Sequence, residues 1–262
     1  MPKNSLLSLS LFLFCLFPFL SLFSLDLPFD LHCSAHLGRF LNSDTSRYYI
    51  DSSVNLYCTM LNHRNFNFFI NYQDDLEVNG GNGVFFDPRY VHYYIAGGFD
   101  YFLSLFFFRL SYIHDCIHDI DFPSSDKPIF NRFRLQFGEK DFHYSLRTKT
   151  SRKFLWTFYS TLYAHWQYHG WDINAGADYN YDFALQLRIN FLSKSNMGSE
   201  LNPEFLFIKG KNTWYHQHFI KLLVYYKNFS HNRLGVGLLY NITKDPIRSP
   251  DKLWQFIIFF QS

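Results

Sequence analysis

The sequence predicts an all-β protein, an antiparallel transmembrane β-barrel of about twelve strands within a range of ten to fourteen. Three observations lead to this prediction. Aromatic residues make up 22% of the 262 residues, and such side chains favour strands over helices. Much of the chain alternates apolar with polar residues, which puts them on opposite faces of a strand. A basic start followed by an apolar run indicates export.

The N-terminal region predicts a signal peptide over residues 1–25, followed by the barrel over residues 26–262. Lys3 lies in the short basic start, and residues 6–23 are uncharged and mostly apolar. Pro18, near the end of this run, favours a cleaved signal over a stable membrane helix. No repeat or low-complexity linker divides the rest, which predicts one domain.

The charge balance and the motifs narrow the class of function. Lys and Arg number 24 against 22 Asp and Glu, for a formal net charge of +2. This balance gives no reason to expect a nucleic-acid partner. The glycines within 80–83 are not followed by Lys-Ser/Thr or a helix, and the sequence indicates no cofactor. Once Cys15 leaves with the signal, an odd number of cysteines remains: Cys33, Cys58 and Cys116.

The strand prediction follows the alternation along the chain. In segment 65–73 the aromatic and aliphatic residues share one face and the Asn and Gln residues share the other. A long loop is expected over 74–88 and a break over 122–128, with short turns at 61–64 and 138–141. Two segments are ambiguous, the weak first strand and the region around 205–208. The other predicted strands are 49–60, 65–73, 89–98, 102–120, 129–137, 142–147, 154–168, 171–181, 183–193, 214–227, 234–243 and 253–261.

Alternation alone fits a soluble barrel as well as a membrane-spanning one, but three features favour the membrane. Aromatic residues gather at strand ends, the strands outnumber those of an eight-stranded barrel, and segment 254–260 is an apolar strand near the C-terminus. We therefore expect a barrel in a bacterial outer membrane, in contact with its lipid. Long loops lie outside and short turns face the periplasm, which puts residues 114–121 at the extracellular end.

Segment 106–121 joins an aromatic strand to a cluster of ionisable side chains. One face carries Phe106, Phe108, Leu110, Tyr112, His114, Cys116 and His118. The other face carries Arg109, Ser111, Asp115, Asp119 and Asp121.

Three interpretations of this cluster stay open. A strand that leaves the membrane exchanges apolar for polar side chains, so His, Asp and Cys at a rim need no special role. Metal binding by His114 and His118 requires a bulge near Cys116 or Asp115, because four residues of regular strand separate the two histidines by about 13 Å. Hydrolysis requires a nucleophile, a base within reach and a group that orients the base.

The hydrolytic interpretation rests on a resemblance. The pair His114-x-Cys116 resembles the lipid-facing His-x-Ser pair of outer-membrane phospholipase A and the lipid A deacylases, with a thiol in place of the hydroxyl. The resemblance implies Cys116 as nucleophile and His114 or His118 as base. It implies Asn131, on the lipid-facing side of the following strand, as the orienting residue.

A second resemblance concerns the strand end as a whole. His114, Cys116, His118 and Asp121 resemble a His-x-Ser-x-His-x-x-Asp strand end that recurs in an uncharacterised family of outer-membrane barrels. This resemblance implies a barrel and no particular activity.

Charged residues on the opposite strand faces predict a polar barrel interior. In a barrel of this size such groups pair with one another and fill the lumen, and a narrow pore for a small solute is the functional alternative. The predicted interior set is Arg109, Arg132, Arg134, Arg147 and Arg188 with Asp51, Asp172 and Asp178.

Two functional hypotheses follow for a membrane barrel. The first is an integral outer-membrane protein with a structural, transport or surface-interaction role. The second is an outer-membrane lipid hydrolase that uses the His/Cys pair at the extracellular rim. A third hypothesis, a secreted soluble β-protein, requires the aromatic faces to point inward.

Overall fold

The computed structural model is a closed barrel in which twelve antiparallel strands follow one another around the ring. It describes residues 30–46, 48–80, 87–119, 128–144, 152–165, 177–193, 196–228, 232–247 and 250–262. The signal peptide predicted over residues 1–25 lies outside these ranges. The elements are β1 (Asp30–Leu41), β2 (Ile50–His63), β3 (Phe66–Asn79), β4 (Asp87–Phe102), β5 (Phe106–Asp119), β6 (Ile129–Glu139), α1 (Lys140–Tyr144), β7 (Phe154–Tyr163), β8 (Tyr179–Ser193), β9 (Met197–Gly210), β10 (Trp214–Lys227), β11 (Arg233–Lys244) and β12 (Trp254–Gln261).

The ring closes between the first and last strands. β1 pairs with β12 from Ser34 opposite Gln261 to Leu41 opposite Trp254. Beyond this ladder, the backbone N–H of Ser262 donates to the carbonyl of Cys33 at 2.8 Å. Closure leaves no exposed sheet edge among the described strands, which suits a sheet surrounded by hydrocarbon.

The predicted fold class is confirmed, and both ambiguous segments form strands. β1 is a full strand, and β9 spans 14 residues around the segment 205–208. Pro203 lies in the middle of β9, between the polar residues Asn202 and Glu204. A proline removes one ladder hydrogen bond and argues against a central strand, which is why the sequence pattern was weak there.

Four local predictions are wrong. β3 continues to Asn79 and β4 begins at Asp87, so the predicted loop over 74–88 is shorter. Asp100, which falls between the predicted strands 89–98 and 102–120, lies inside β4. The residues after 139 form α1, where a turn over 138–141 and a strand over 142–147 were expected. β8 runs without interruption from Tyr179 to Ser193, so the break expected between 181 and 183 is absent, and residues 171–176 lie outside the described ranges.

The apolar strand faces point outward. On β5 and β6, Leu110 and Leu135 expose 53% and 56% of their surface, while Arg109 and Arg134 on the alternate face point into the lumen. A soluble barrel requires the reverse arrangement. No helix in the described part of the chain is long and apolar enough to cross a membrane.

The two ends of the barrel differ in their connections. One end, the short-turn end, carries the connections 64–65 and 103–105, together with the longer segment 140–153 that contains α1. The other end, the long-loop end, carries the connections 42–49, 120–128 and 245–253. The last residues of β5 therefore approach the long-loop end, as the sequence predicted.

Candidate functional site

Polar side chains interrupt the apolar outer surface on β5 and β6. We call Tyr112, His114, Cys116 and His118 of β5 with Asn131 of β6 the outer-face cluster. His114 lies directly opposite Asn131 in the antiparallel pairing of the two strands. Both residues have the same orientation as the exposed leucines, Leu110 and Leu135, so the cluster belongs to the outward face of the barrel.

A hydrogen bond joins the histidine to the asparagine. His114 Nδ1 lies 2.9 Å from Asn131 Oδ1, and the Tyr112 hydroxyl donates to the same oxygen at 2.8 Å. Because an amide oxygen only accepts, the shared proton lies on Nδ1 of His114. The neutral ring then has its lone pair on Nε2, the form that accepts a proton from a nucleophile.

Asn131 is held firmly in this position. Only 1% of its surface is exposed, although its side chain points away from the lumen. Its backbone carbonyl also accepts the N–H of Ala164 at 2.9 Å, after the end of β7. A buried amide that is fixed from several sides can orient a histidine ring.

Cys116 follows His114 on the same strand face. Two residues of regular strand separate their Cα atoms by about 6.6 Å. The thiol is free of any disulfide and the residue is 7% exposed. The structure brings His114 and Asn131 together, but it gives no hydrogen bond from Cys116 to either histidine. Such bonds often form only when substrate is bound.

His118 lies two residues after Cys116 on the same strand face. Its ring meets the Tyr93 ring edge-on, with centroids 5.6 Å apart. The pairing of β4 with β5 runs without a register shift from Asp119 to Phe107, so the bulge needed to bring His118 to His114 is not present. No group of three potential metal ligands occurs among the residues described, and Asp121 lies outside them.

Three further outward residues lie beside the cluster and were not predicted as part of it: Tyr72, Asp74 and Tyr93. Asp74 of β3 lies opposite Tyr93 of β4, which lies opposite Cys116. The Tyr72 hydroxyl lies 3.5 Å from Asp74 Oδ2. Asp74 lies on the same face of β3 as Phe66, Phe68, Ile70 and Tyr72, so its direction could have been predicted from the alternation. It was not, because a loop was expected from residue 74 onward.

The predicted arginines at the rim and in the lumen form two separate groups. Near the short-turn end, Arg109 holds Asp100 with two bonds, from Nε to Oδ1 at 2.7 Å and from Nη2 to Oδ2 at 3.0 Å. Nearer the long-loop end, Arg132 pairs with Asp115, which also contacts His92. Arg134 donates to Thr161 Oγ1 at 3.1 Å and lies over the Tyr159 ring.

The other members of the predicted interior set fall in different places. Asp51 accepts bonds from His36 and from Gln255, across the β1–β12 closure. Asp178 accepts the N–H of Lys211 at 2.9 Å. Arg147 and Asp172 lie outside the described residues.

The short helix α1 brings a histidine into the first arginine group. His143 Nε2 lies 2.9 Å from Asp100 Oδ2, and the ring also contacts Arg109. Burial, reinforced by the Arg109 guanidinium, lowers the pKa of His143 below its usual value. The ring is therefore neutral at pH 7, and Arg109 alone neutralises the Asp100 carboxylate.

Cavities remain between these groups. One of about 320 Å³ lies beside Arg109 and His143, and one of about 640 Å³ lies beside Arg132, Arg134 and His92. The paired side chains thus fill much of the lumen, and the cavities between them have room for small solutes or water.

Comparison with known proteins gives a fold and no family. No protein-family model matches the chain, and no curated protein matches its sequence. The resemblance to an uncharacterised barrel family is therefore not supported by a matching family model.

Solved structures of outer-membrane barrels share the architecture. The outer membrane phospholipase dimer of Salmonella typhi with bound calcium is 12% identical, covers 89% of this chain and 92% of its own, and has a TM-score of 0.56. An active-site variant of outer membrane phospholipase A from Escherichia coli, with alanine in place of asparagine, is 12% identical over 91% of both chains, with a TM-score of 0.54. The NanC porin is 8% identical, covers 87% of this chain and 98% of its own, and has a TM-score of 0.51. The chain has the closed-barrel fold of outer-membrane proteins.

Proposed function

We propose that this protein is an outer-membrane lipid hydrolase, with Cys116 as nucleophile, His114 as base and Asn131 as orienting residue. The observation that carries the proposal is the His114–Asn131 hydrogen bond of 2.9 Å on the lipid-facing surface. A buried amide that fixes a histidine tautomer beside a thiol is the arrangement that nucleophilic catalysis needs. A rim that only exchanges apolar for polar side chains needs no such bond.

The reaction is a two-step acyl transfer. His114 Nε2 takes the thiol proton of Cys116 while Sγ attacks the ester carbonyl carbon of a lipid. The carbon–oxygen ester bond breaks, and the leaving alkoxide takes the proton from His114, which leaves a thioester on Cys116. Water then gives a proton to His114 and attacks the thioester. The thiolate leaves, recovers its proton, and the fatty acid is released.

The position of the cluster supports a membrane lipid as substrate. Exposed apolar residues, among them Leu110, Phe133 and Leu135, surround it on the same face. Their side chains would contact acyl chains while the ester lies at the polar boundary near the long-loop end. The phospholipase of similar fold has an asparagine at the active-site position that the variant replaces with alanine. The substrate class is an acyl ester of a phospholipid or of lipid A.

The test is fatty-acid release from phospholipid in mixed micelles by the purified, folded protein. Cys116→Ala and His114→Ala should each lower the rate by about 10²–10⁴-fold, the usual contribution of a base or nucleophile. Cys58→Ala and His216→Ala are matched controls, since both residues also face outward, on β2 and β10. Full activity in Cys116→Ala, or equal loss in the controls, would contradict the proposal.

A further inference from the structure

Two cations in the lumen wall have no carboxylate partner. Arg188 of β8 has its Nε and Nη1 atoms buried without a hydrogen-bond partner in the described chain. Lys221 of β10 forms no ion pair with any described residue. Both side chains line one cavity of about 200 Å³. Buried donors of this kind need a water molecule, an ion or another ligand as partner.

The neighbouring carboxylates are already engaged. Glu204 accepts from the Tyr159 hydroxyl at 2.8 Å and from Gln186 at 2.6 Å. Glu200 accepts from Asn202, Tyr225 and Arg233. Asp51 and Asp75 also act electrostatically on Lys221, but neither forms an ion pair with it. The N–H donors of Arg188 and Lys221 therefore remain for a ligand.

The three strands align the polar groups at one height. Asn202 of β9 lies opposite Lys221 of β10. On the other side of β9, the pairing of Ile189 with Leu201 places Arg188 of β8 opposite Asn202. Phe142 of α1 covers the face of the guanidinium, with its ring centroid 4.9 Å from Cζ. A covered guanidinium keeps its in-plane N–H groups for a ligand with two oxygens.

Asn202 requires a ligand that can donate a hydrogen bond. Its Nδ2 donates to Glu200 at 2.9 Å, which fixes the amide orientation, and its Oδ1 is buried without a partner. An anion with only oxygen acceptors leaves this oxygen unsatisfied, whereas an anion that also carries a hydroxyl group satisfies it. We propose that Arg188, Asn202 and Lys221 form a lumenal site for a small hydroxylated oxyanion, such as a 2-hydroxy carboxylate or hydrogen phosphate.

Binding is measured by calorimetric titration of the full barrel in uncharged detergent with sodium glycolate, sodium acetate or inorganic phosphate. Glycolate and phosphate should bind saturably, one per barrel. Acetate, which lacks the hydroxyl group, should bind about fivefold more weakly than glycolate. Arg188→Met and Lys221→Met should each weaken glycolate binding about tenfold or more.

Two further variants make the result specific. Asn202→Ala should remove the preference for glycolate over acetate while acetate still binds. Lys252→Met removes an exposed cation after β11 and should leave every affinity unchanged. If Arg188→Met does not fold, Lys221→Met and Asn202→Ala carry the test. Absence of saturable binding, equal affinities in all variants, or equal binding of glycolate and acetate would overturn the assignment. Lipid release is not part of this readout, so the hydrolase proposal stands or fails independently.

Discussion

Asn131 is the residue on which the proposed chemistry depends. Its oxygen accepts from both His114 and Tyr112, and its side chain is almost fully buried on the outer side of the barrel. The alternation with Phe133, Leu135 and Phe137 predicted its direction from sequence. The Tyr112 contact was not predicted, because a hydroxyl at a diagonal position depends on ring rotation that a sequence pattern does not fix.

Asn131→Ala should reduce kcat of lipid release about 100-fold with little change in KM. The histidine would lose its orientation, and a misplaced catalytic group costs about that factor. A change in the pH–rate profile should accompany the loss, since the tautomer is no longer fixed. Steady-state kinetics at several pH values checks both effects. Unchanged kcat, or a change in KM alone, would assign Asn131 a purely structural role.

Arg132 neutralises the Asp115 carboxylate beside the cavity of about 640 Å³. Arg132→Ala leaves the Asp115 carboxylate buried with His92 as its remaining ionisable partner. We expect the free energy of unfolding to fall by about 3–5 kcal/mol, as when one partner of a buried ion pair is removed. The matched control is Arg152→Ala, which breaks the exposed pair with Glu139 at 2.6 Å and should cost about 0–1 kcal/mol. Urea unfolding followed by tryptophan fluorescence compares the two, and equal losses would contradict the burial argument.

At the scale of the element, pairing of β4 with β5 positions the strand that carries the proposed nucleophile. Gly98 of β4 lies opposite Ser111 of β5, and a Cβ at residue 98 would lie 2.1 Å from the Leu110 carbonyl oxygen. The two backbones approach so closely that no side chain fits between them. The neighbouring Gly97 faces the other side, where the nearest atom to an added Cβ is 3.9 Å away.

Gly98→Ala should therefore destabilise the barrel by about 1–3 kcal/mol, the usual cost of overpacking. Gly97→Ala is the matched control and should change stability little. Urea unfolding midpoints of the two variants give the comparison. Equal midpoints would show that the β4–β5 pair relaxes without cost.

The element scale also shows what the sequence pattern could not predict. Strands with regular alternation, such as β11 and β12, were found directly, because one face of each is apolar over the predicted range. Helix α1 was predicted as a strand because Phe142 and Tyr144 alternate with His143. A helix of five residues shows too little of a 3.6-residue period to be distinguished. Its position depends on contacts with Arg188 and Asp100, far away in the chain.

At the scale of the molecule, the closed ring and its apolar exterior predict behaviour in detergent. We expect the protein to be extracted from membranes only by detergent, in the outer-membrane fraction and without residues 1–25. The folded form should migrate faster than the boiled form on a gel, because a closed barrel resists unfolding by the detergent. Recovery in the aqueous fraction, with no mobility shift, would contradict membrane insertion.

Part of the candidate site could be predicted from the sequence. The His/Cys pair and Asn131 were found from one strand and its successor, because neighbouring strands in an antiparallel barrel are adjacent in sequence. The site at Arg188, Asn202 and Lys221 spans three strands, and the pairing of β8 with β9 shifts register between Asn190 and Leu192, close to Arg188. Its unpaired atoms follow from packing against α1, and no local pattern contains that information.

The most direct measurement for the proposed chemistry is the mass of the intact protein quenched in acid shortly after it meets a phospholipid substrate. We predict a mass increase equal to one acyl group less one hydrogen, localised to Cys116 by peptide mapping and removed by hydroxylamine. The adduct should be absent in Cys116→Ala and present in Cys58→Ala. Fatty-acid release without any adduct on Cys116, at a rate that Cys116→Ala preserves, would contradict nucleophilic catalysis by this thiol.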